Sequence, residues 1–400
     1  MLQIHAGSGK CIFGCGLALA LILLLPPGSA QAQGETVLYS FQGGNDGAYP
    51  YAGLLMDKSG NLYGSTYWGG GSGCDDKLGC GTIFELPAGG SETVIHPFAG
   101  RPKDGAWPAA AVIADKAGNL YGTTYEGGHD NTGTVFEISS GGTESLLYPF
   151  TGSSGGYPVA PLIADAKGNL YGTTSAGGAD NAGTVFAIAA GGTETVLYSF
   201  GSGTDGAEPL GGLLADKAGN LYGTTFAGGT RNAGTIFEIA PGGTETVLYS
   251  FTGKADGGYP TAGLIADKSG NLYGTTESGG EGRVGTIFEY AAGGAESVLH
   301  AFSEKEGDGE YPWASLVMDK AGNLYGTTAG GGKYNAGAVF EVSPQGAETL
   351  VYSFAGGSDG ADPVAPLIMD KAGNLYGTTQ MGGTGTACEN GCGTIFEIAK

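Results

Sequence analysis

Apolar residues in this chain fall in runs of four to seven positions bounded by Gly, Pro, Asp or Asn, and the runs recur in groups of four. The first group comprises 35–41 (E-T-V-L-Y-S-F), 52–57 (A-G-L-L-M-D), 61–66 (N-L-Y-G-S-T) and 82–86 (T-I-F-E-L). Each run is rich in β-branched and aromatic residues, which predicts short strands. No apolar stripe of helical period extends over ten positions after residue 32, so helices are expected to be nearly absent.

The pentapeptide G-N-L-Y-G sets the period. It starts at Gly60, Gly118, Gly168, Gly219, Gly270, Gly322 and Gly373, seven copies at intervals of 50 to 58 residues that fill almost the whole chain. Four short strands repeated about every 51 residues match the blade of a β-propeller, in which each small sheet buries both faces against its neighbours. The fold class predicted is therefore all-β, a seven-bladed propeller of four-stranded blades over residues 33–400. Gly64 and its equivalents fall in mid-strand, where a missing side chain signals close approach by another backbone, here expected from the adjacent blade.

Connections sort by length. The segment 57–61 (D-K-S-G-N) keeps one length in all copies, and its aspartate is expected to cap a tight turn with its own backbone. After the G-T-T strand the connection has 8 residues in copies two to six, 14 in the first and 13 in the seventh. Loops that vary on a constant scaffold are the usual location of binding residues.

Composition changes this picture in two ways. The 82 glycines and 14% charged residues would suggest low complexity, but they alternate with regularly spaced apolar positions and read as turns. The formal charge of −22 argues against nucleic acid or anionic membrane as a partner. Residues 1–32 stand apart: Lys10, an apolar run at 11–25 and the ending Ala30-Gln31-Ala32 form a signal peptide. The expected product is a secreted or periplasmic monomer that leaves the membrane after cleavage. Its cysteines are Cys74 and Cys80 in the long loop of copy one and Cys388 and Cys392 in that of copy seven. An oxidising compartment predicts two local disulfides, Cys74 with Cys80 and Cys388 with Cys392; one zinc held by all four is the competing reading.

The unit D-K-x-G-N-L-Y-G-T-T, then G-G, then G-T-[IV]-F-E, resembles the GloVer tandem repeat of "choice-of-anchor" bacterial surface proteins. The resemblance implies export and lends no activity. The D-x-x-G-N-L-Y segment is also similar to NHL-type propeller repeats. That likeness implies that A-G-L-L-M-D is the innermost strand and N-L-Y-G the second, with T-I-F-E-L third and E-T-V-L-Y-S-F outermost. In that order the N-terminal strand at 36–41 pairs with 394–398 and closes the last blade.

Candidate chemistry is sparse. His96 and His300 stand where other copies have Tyr, which reads as packing; no His or Cys spacing points to a metal, and no nucleophile motif occurs. The connection before the inner strand reads D-G-x-Y-P at 46–50, with Trp107, Tyr157, Tyr259 and Tyr311 at the position of Tyr49. These aromatics either pack on their own prolines or ring one mouth and stack on sugars. The aspartates of the same loop, Asp46 among them, are expected in turns, with a Ca²⁺ site as the weaker reading. Tyr67 and Trp68 form an aromatic pair found in no other copy. Closure sets copies one and seven side by side, so a ligand is expected between Trp68 and Trp107, with Tyr49 as platform and Asp46 or Asp75 for polar contacts. The function expected is a binding module for an extracellular ligand, such as a polysaccharide. A channel-mouth enzyme, for example a polysaccharide lyase or lactonase, and a purely structural surface protein are the alternatives.

Overall fold

The computed structural model describes residues 34–71, 73–74, 78–201, 203–305 and 307–400, so the leader expected at 1–32 and Asp75 lie outside the described residues. Seven antiparallel four-stranded sheets follow one another along the chain. Blade 1 is built from Leu55–Met56, Leu62–Thr66, Thr82–Leu86 and Thr93–Pro97, in sequence order from axis to rim. Blades 2 to 6 repeat this order, and blade 7 takes Ile368–Met369, Leu375–Thr379 and Thr394–Ile398. Its fourth strand is Glu35–Ser40, registered Glu35 to Ile398 and Ser40 to Thr394. The ring thus closes by pairing the two ends of the repeat array, which leaves neither end strand unpaired. Among the described residues the only helical element is the 3₁₀ turn Gly44–Asp46.

The repeated residues explain the blade. Asp57 Oδ1 accepts the Ser59 and Asn61 amides at 2.7 and 2.9 Å, and Asn61 Nδ2 donates to Oδ2 at 3.0 Å, so the aspartate caps its turn as its spacing predicts. Phe84 stands opposite Gly64 in the strand register. A Cβ on Gly64 would lie 2.5 Å from Phe84 Cζ, and the same collision recurs at Gly122 with Phe136. The glycine therefore makes room for a phenyl ring of its own blade, not for the neighbouring backbone expected from the sequence. Laid over glycine, the ring reaches the preceding blade instead: Phe84 meets Phe41 of blade 7 edge-on at 5.2 Å, and Phe136 of blade 2 meets Phe98 of blade 1 at 5.1 Å.

Each core cluster lies between two blades. Cys80, Ile83 and Phe98 of blade 1 pack on Val112, Leu120, Phe136 and Ile138 of blade 2. The threonine pair stitches the same boundary. Thr224 Oγ1 donates to the Ala262 carbonyl of the next blade at 2.8 Å, and Thr378 donates to Ala52 at 3.2 Å across the closing boundary. In every blade but the sixth, where Ala338 stands opposite Thr328, the second threonine faces another across its hairpin, as in Thr66 and Thr82 with hydroxyls 2.7 Å apart. These hydroxyls are buried, where an unpaired one would be costly.

Candidate functional site

The D-G-x-Y-P connection runs from the rim of one blade to the axis of the next. In all seven copies the residue before the proline is left-handed, from Asp362 at φ 52° to Tyr311 at φ 61°. Because Glu208 and Asp362 adopt it as readily as Tyr49, this strain belongs to the fold and not to a ligand site. The turn aims the pre-proline amide at the preceding blade and its carbonyl at its own. Tyr49 N donates to Cys392 O at 2.9 Å and its carbonyl accepts from Tyr67 N at 3.0 Å; Trp107 N likewise donates to Cys80 O at 2.7 Å. The D-G-x-Y-P and variable loops therefore share one face.

Both expected disulfides are present, Cys74 with Cys80 and Cys388 with Cys392. Each loop's sulfurs are consumed locally, which removes the thiolates a shared zinc site requires. Cys80 and Cys392 are buried at the bases of their loops, where their carbonyls hold Trp107 and Tyr49. The two braces thus act on the same two aromatics that the sequence singles out.

Tyr67 fills the space between the two indoles. Its ring lies 5.8 Å from Trp68 and stacks on Trp107 at 5.9 Å with planes 17° apart, so the slot expected between Trp68 and Trp107 is taken by the chain's own side chain. The open surface lies instead toward the axis, in a cavity of about 490 Å³ lined by Tyr49, Tyr51, Tyr67, Trp68, Tyr125 and Met381, among others. Tyr49 and Trp68 meet edge-on at 4.9 Å, and the Tyr49 hydroxyl donates to Glu389 O of the seventh loop at 3.2 Å. Tyr51 and Tyr125 are the residues that sequence reasoning missed. The first follows the proline, and the second occupies the Tyr67 position of copy two; aligning copies position by position would have raised both.

Other candidates lie elsewhere. Tyr157 tilts against Tyr125 at 5.1 Å and Tyr259 against Phe226 at 5.3 Å, each packed at its own blade boundary, while Tyr311 is exposed on blade 6. Asp46 is turned away from the groove: its Oδ2 accepts from the Tyr39 hydroxyl at 2.9 Å and the Gln42 amide at 2.8 Å. Beside the groove, an axial cavity of about 440 Å³ is lined by residues of all seven blades. Its wall is mostly small and apolar (Ala52, Ala110, Gly211, Ala262), with Tyr51, Phe226 and Trp313 as its aromatic lining residues. Among the described residues Glu277 is its sole acidic lining residue, and burial holds that carboxyl above its ordinary range.

At the rim, six of the seven blade boundaries join the aromatic of one outer strand, the aspartate of the following turn and the first glutamate of the next outer strand; at the remaining one Ser154 takes the aspartate's place beside Tyr148 and Glu194. Tyr39 and Asp46 with Glu92 form one such set, and Tyr249, Asp256 and Glu296 another. At two boundaries histidine replaces tyrosine, giving His96, Asp104 and Glu144, and His300, Asp308 and Glu348.

Two segments, 27–225 and 190–396, match the Gloeobacter/Verrucomicrobia repeat. The chain belongs to this repeat family. Among solved structures, streptogramin B lyase is similar at 13% identity and TM-score 0.60, over 92% of this chain and 99% of that one. Virginiamycin B lyase from Staphylococcus aureus is similar at 13% identity and TM-score 0.58, over 92% and 98%. The extracellular domain of a putative one-component system from B. thetaiotaomicron matches at 11% and TM-score 0.55, over 89% of this chain and 39% of that one. No functionally curated protein is detectably similar in sequence. At such identities the likeness extends to the propeller fold, which these repeats share with proteins of different activity.

Proposed function

We propose that this repeat protein is an exported binding module that takes a polysaccharide segment in the aromatic groove at blades 1, 2 and 7. The observation that carries the reading is the convergence of Tyr49, Tyr51, Tyr67, Trp68 and Tyr125 on one cavity, at the sector where both long loops are cystine-braced. Aromatic faces stack on the apolar faces of sugar rings, and hydroxyls at their edges satisfy the sugar's own. Bracing lowers the ordering cost when a loop meets its ligand. Export follows from the signal-like segment at 1–32 and agrees with the cystines.

The enzymatic reading would place chemistry in the axial cavity, where Glu277 alone would have to act as both acid and base. A paired second group is the usual requirement for lyase or hydrolase chemistry, and none lines this cavity among the described residues. Binding is therefore the reading preferred. It is tested by calorimetric titration of the wild type and of Trp68→Ala and Tyr51→Ala against a panel of soluble neutral and cationic polysaccharides. A several-fold loss in both variants supports it; wild-type affinity in both, or no binding to any member, counts against it.

A further inference from the structure

The rim triads that contain histidine differ from the rest in one geometric respect. Where tyrosine and aspartate are both present, the hydroxyl reaches the carboxylate: Tyr39 to Asp46 and Tyr198 to Asp205 at 2.9 Å, Tyr249 to Asp256 and Tyr352 to Asp359 at 3.0 Å. Imidazole is shorter. His96 Nε2 stands 3.5 Å from Asp104 Oδ2, and His300 Nε2 3.9 Å from Asp308 Oδ1. Both nitrogens are buried without a hydrogen-bond partner, as are Glu144 Oε1 and Glu348 Oε1 beside them.

In each triad one nitrogen and two carboxylate oxygens lie within 4.8 Å of one another. Ligand atoms around a tetrahedral zinc sit about 3.3–3.6 Å apart, given metal–ligand bonds of about 2.0–2.2 Å. The histidine–aspartate spacings are therefore nearer to ligand–ligand distances than to a hydrogen bond. We propose that His96, Asp104 and Glu144, and separately His300, Asp308 and Glu348, are two equivalent binding sites for a divalent transition-metal ion such as Zn²⁺.

The donor set suits that ion. Imidazole with two carboxylates provides borderline and hard ligands without thiolate, and two negative charges neutralise the dication. The aspartates are already oriented from outside. Asp104 accepts the Ala99 and Gly105 amides at 2.7 and 2.6 Å, and Asp308 accepts the Ser303 hydroxyl at 2.6 Å and the Gly309 amide at 2.8 Å. Such outer contacts fix a ligand's direction before the metal arrives. The imidazoles are held too, edge-on to Phe98 at 4.8 Å and to Phe302 at 4.7 Å. Each site joins two adjacent blades, since Glu144 and Glu348 come from the outer strands Glu144–Pro149 and Glu348–Ser353. A bound ion would pin the rim of blade 1 to blade 2, and of blade 5 to blade 6.

The other copies supply a control. Tyrosine occupies the histidine position at Tyr39, Tyr148, Tyr198, Tyr249 and Tyr352, so His96→Tyr and His300→Tyr restore a residue the blade already accommodates. The chelator-stripped chain is titrated with Co²⁺ by absorption spectroscopy and with Zn²⁺ by calorimetry, alongside thermal melting. The expected result is two equivalents bound and a raised melting temperature. Each single substitution should remove one equivalent and the double variant both, with folding unchanged. Absence of stoichiometric binding, or binding that survives in the double variant, overturns the proposal; one equivalent lost with only one histidine overturns it for the other site.

Discussion

Tyr67 stacks on Trp107 at 5.9 Å with the two planes 17° apart, bridging blades 1 and 2 while lining the aromatic groove. Trp107 therefore reaches the groove only through Tyr67. Tyr67→Ala is expected to weaken polysaccharide binding several-fold, on the order of 1 kcal/mol for one stacking ring. Trp107→Phe should change affinity less than twofold, about 0.4 kcal/mol or below. Calorimetry on both variants separates these outcomes, and equal losses would place the ligand against Trp107 directly.

Ring closure rests on the pairing of Glu35–Ser40 with Thr394–Ile398 and on Phe41, which is fully buried against Phe84. Phe41→Ala should cost about 3–5 kcal/mol, the range for a large aromatic deleted from a core. A chain that starts after residue 41 should expose the edge of Thr394–Ile398 and self-associate, read by light scattering. A monodisperse, equally stable truncation would show that closure is dispensable.

The mid-strand glycines are predicted to be intolerant. A methyl at Gly122 would lie 2.6 Å from Phe136 Cζ, which must then move and disturb its contact with Phe98. Overpacking of this kind costs about 1–3 kcal/mol, so Gly122→Ala should lower the denaturation midpoint without altering the fold. Circular dichroism in a urea series measures both.

Each cystine closes a short loop, with sequence separations of 6 and 4. Chain-entropy arguments for loops this small give on the order of 2 kcal/mol each. Reduction should therefore lower the melting temperature modestly while leaving the propeller folded, and it should loosen Tyr49 and Trp107, which bond to the carbonyls of Cys392 and Cys80. Peptide mapping without reductant should recover the two local pairs; four alkylatable thiols would contradict the assignment.

Stability should peak in mild acid. Burial, reinforced by Asp359, Asp46, Asp205 and Asp256 respectively, raises Glu35, Glu92 and Glu245 to about 7, and Glu296 likewise to about 7 although the Tyr249 hydroxyl opposes the shift. The folded chain thus binds protons more tightly than the unfolded one between their ordinary value of 4.5 and about 7, and stability falls as pH rises through that window. The turn aspartates act oppositely. Amide donors outweigh burial and hold Asp115, Asp165 and Asp216 below the ordinary 3.8, a contribution lost as pH falls below that value. Melting temperatures measured from pH 3 to 9 should pass through a maximum at about pH 4–5; a maximum above pH 7 would refute this balance.

Much of the architecture was determined by local chemistry repeated seven times. Asp57 and Asn61 fix their turn by hydrogen bonds within five residues, and strand alternation fixes which side chains enter a blade boundary, so period and composition alone imply the propeller. Cystine pairing was equally local. The tertiary structure decided what depended on residues far apart in sequence. Gly64 and Phe84 are cross-strand partners, a relation that spacing does not reveal, and Tyr67 occupies the gap between Trp68 and Trp107 because the left-handed turn at Trp107 brings two blades together. His96 and Glu144 illustrate the limit most sharply. They lie 48 residues apart, each reads as an ordinary member of its strand, and only closure of one blade on the next sets nitrogen and carboxylate within reach of a common ion.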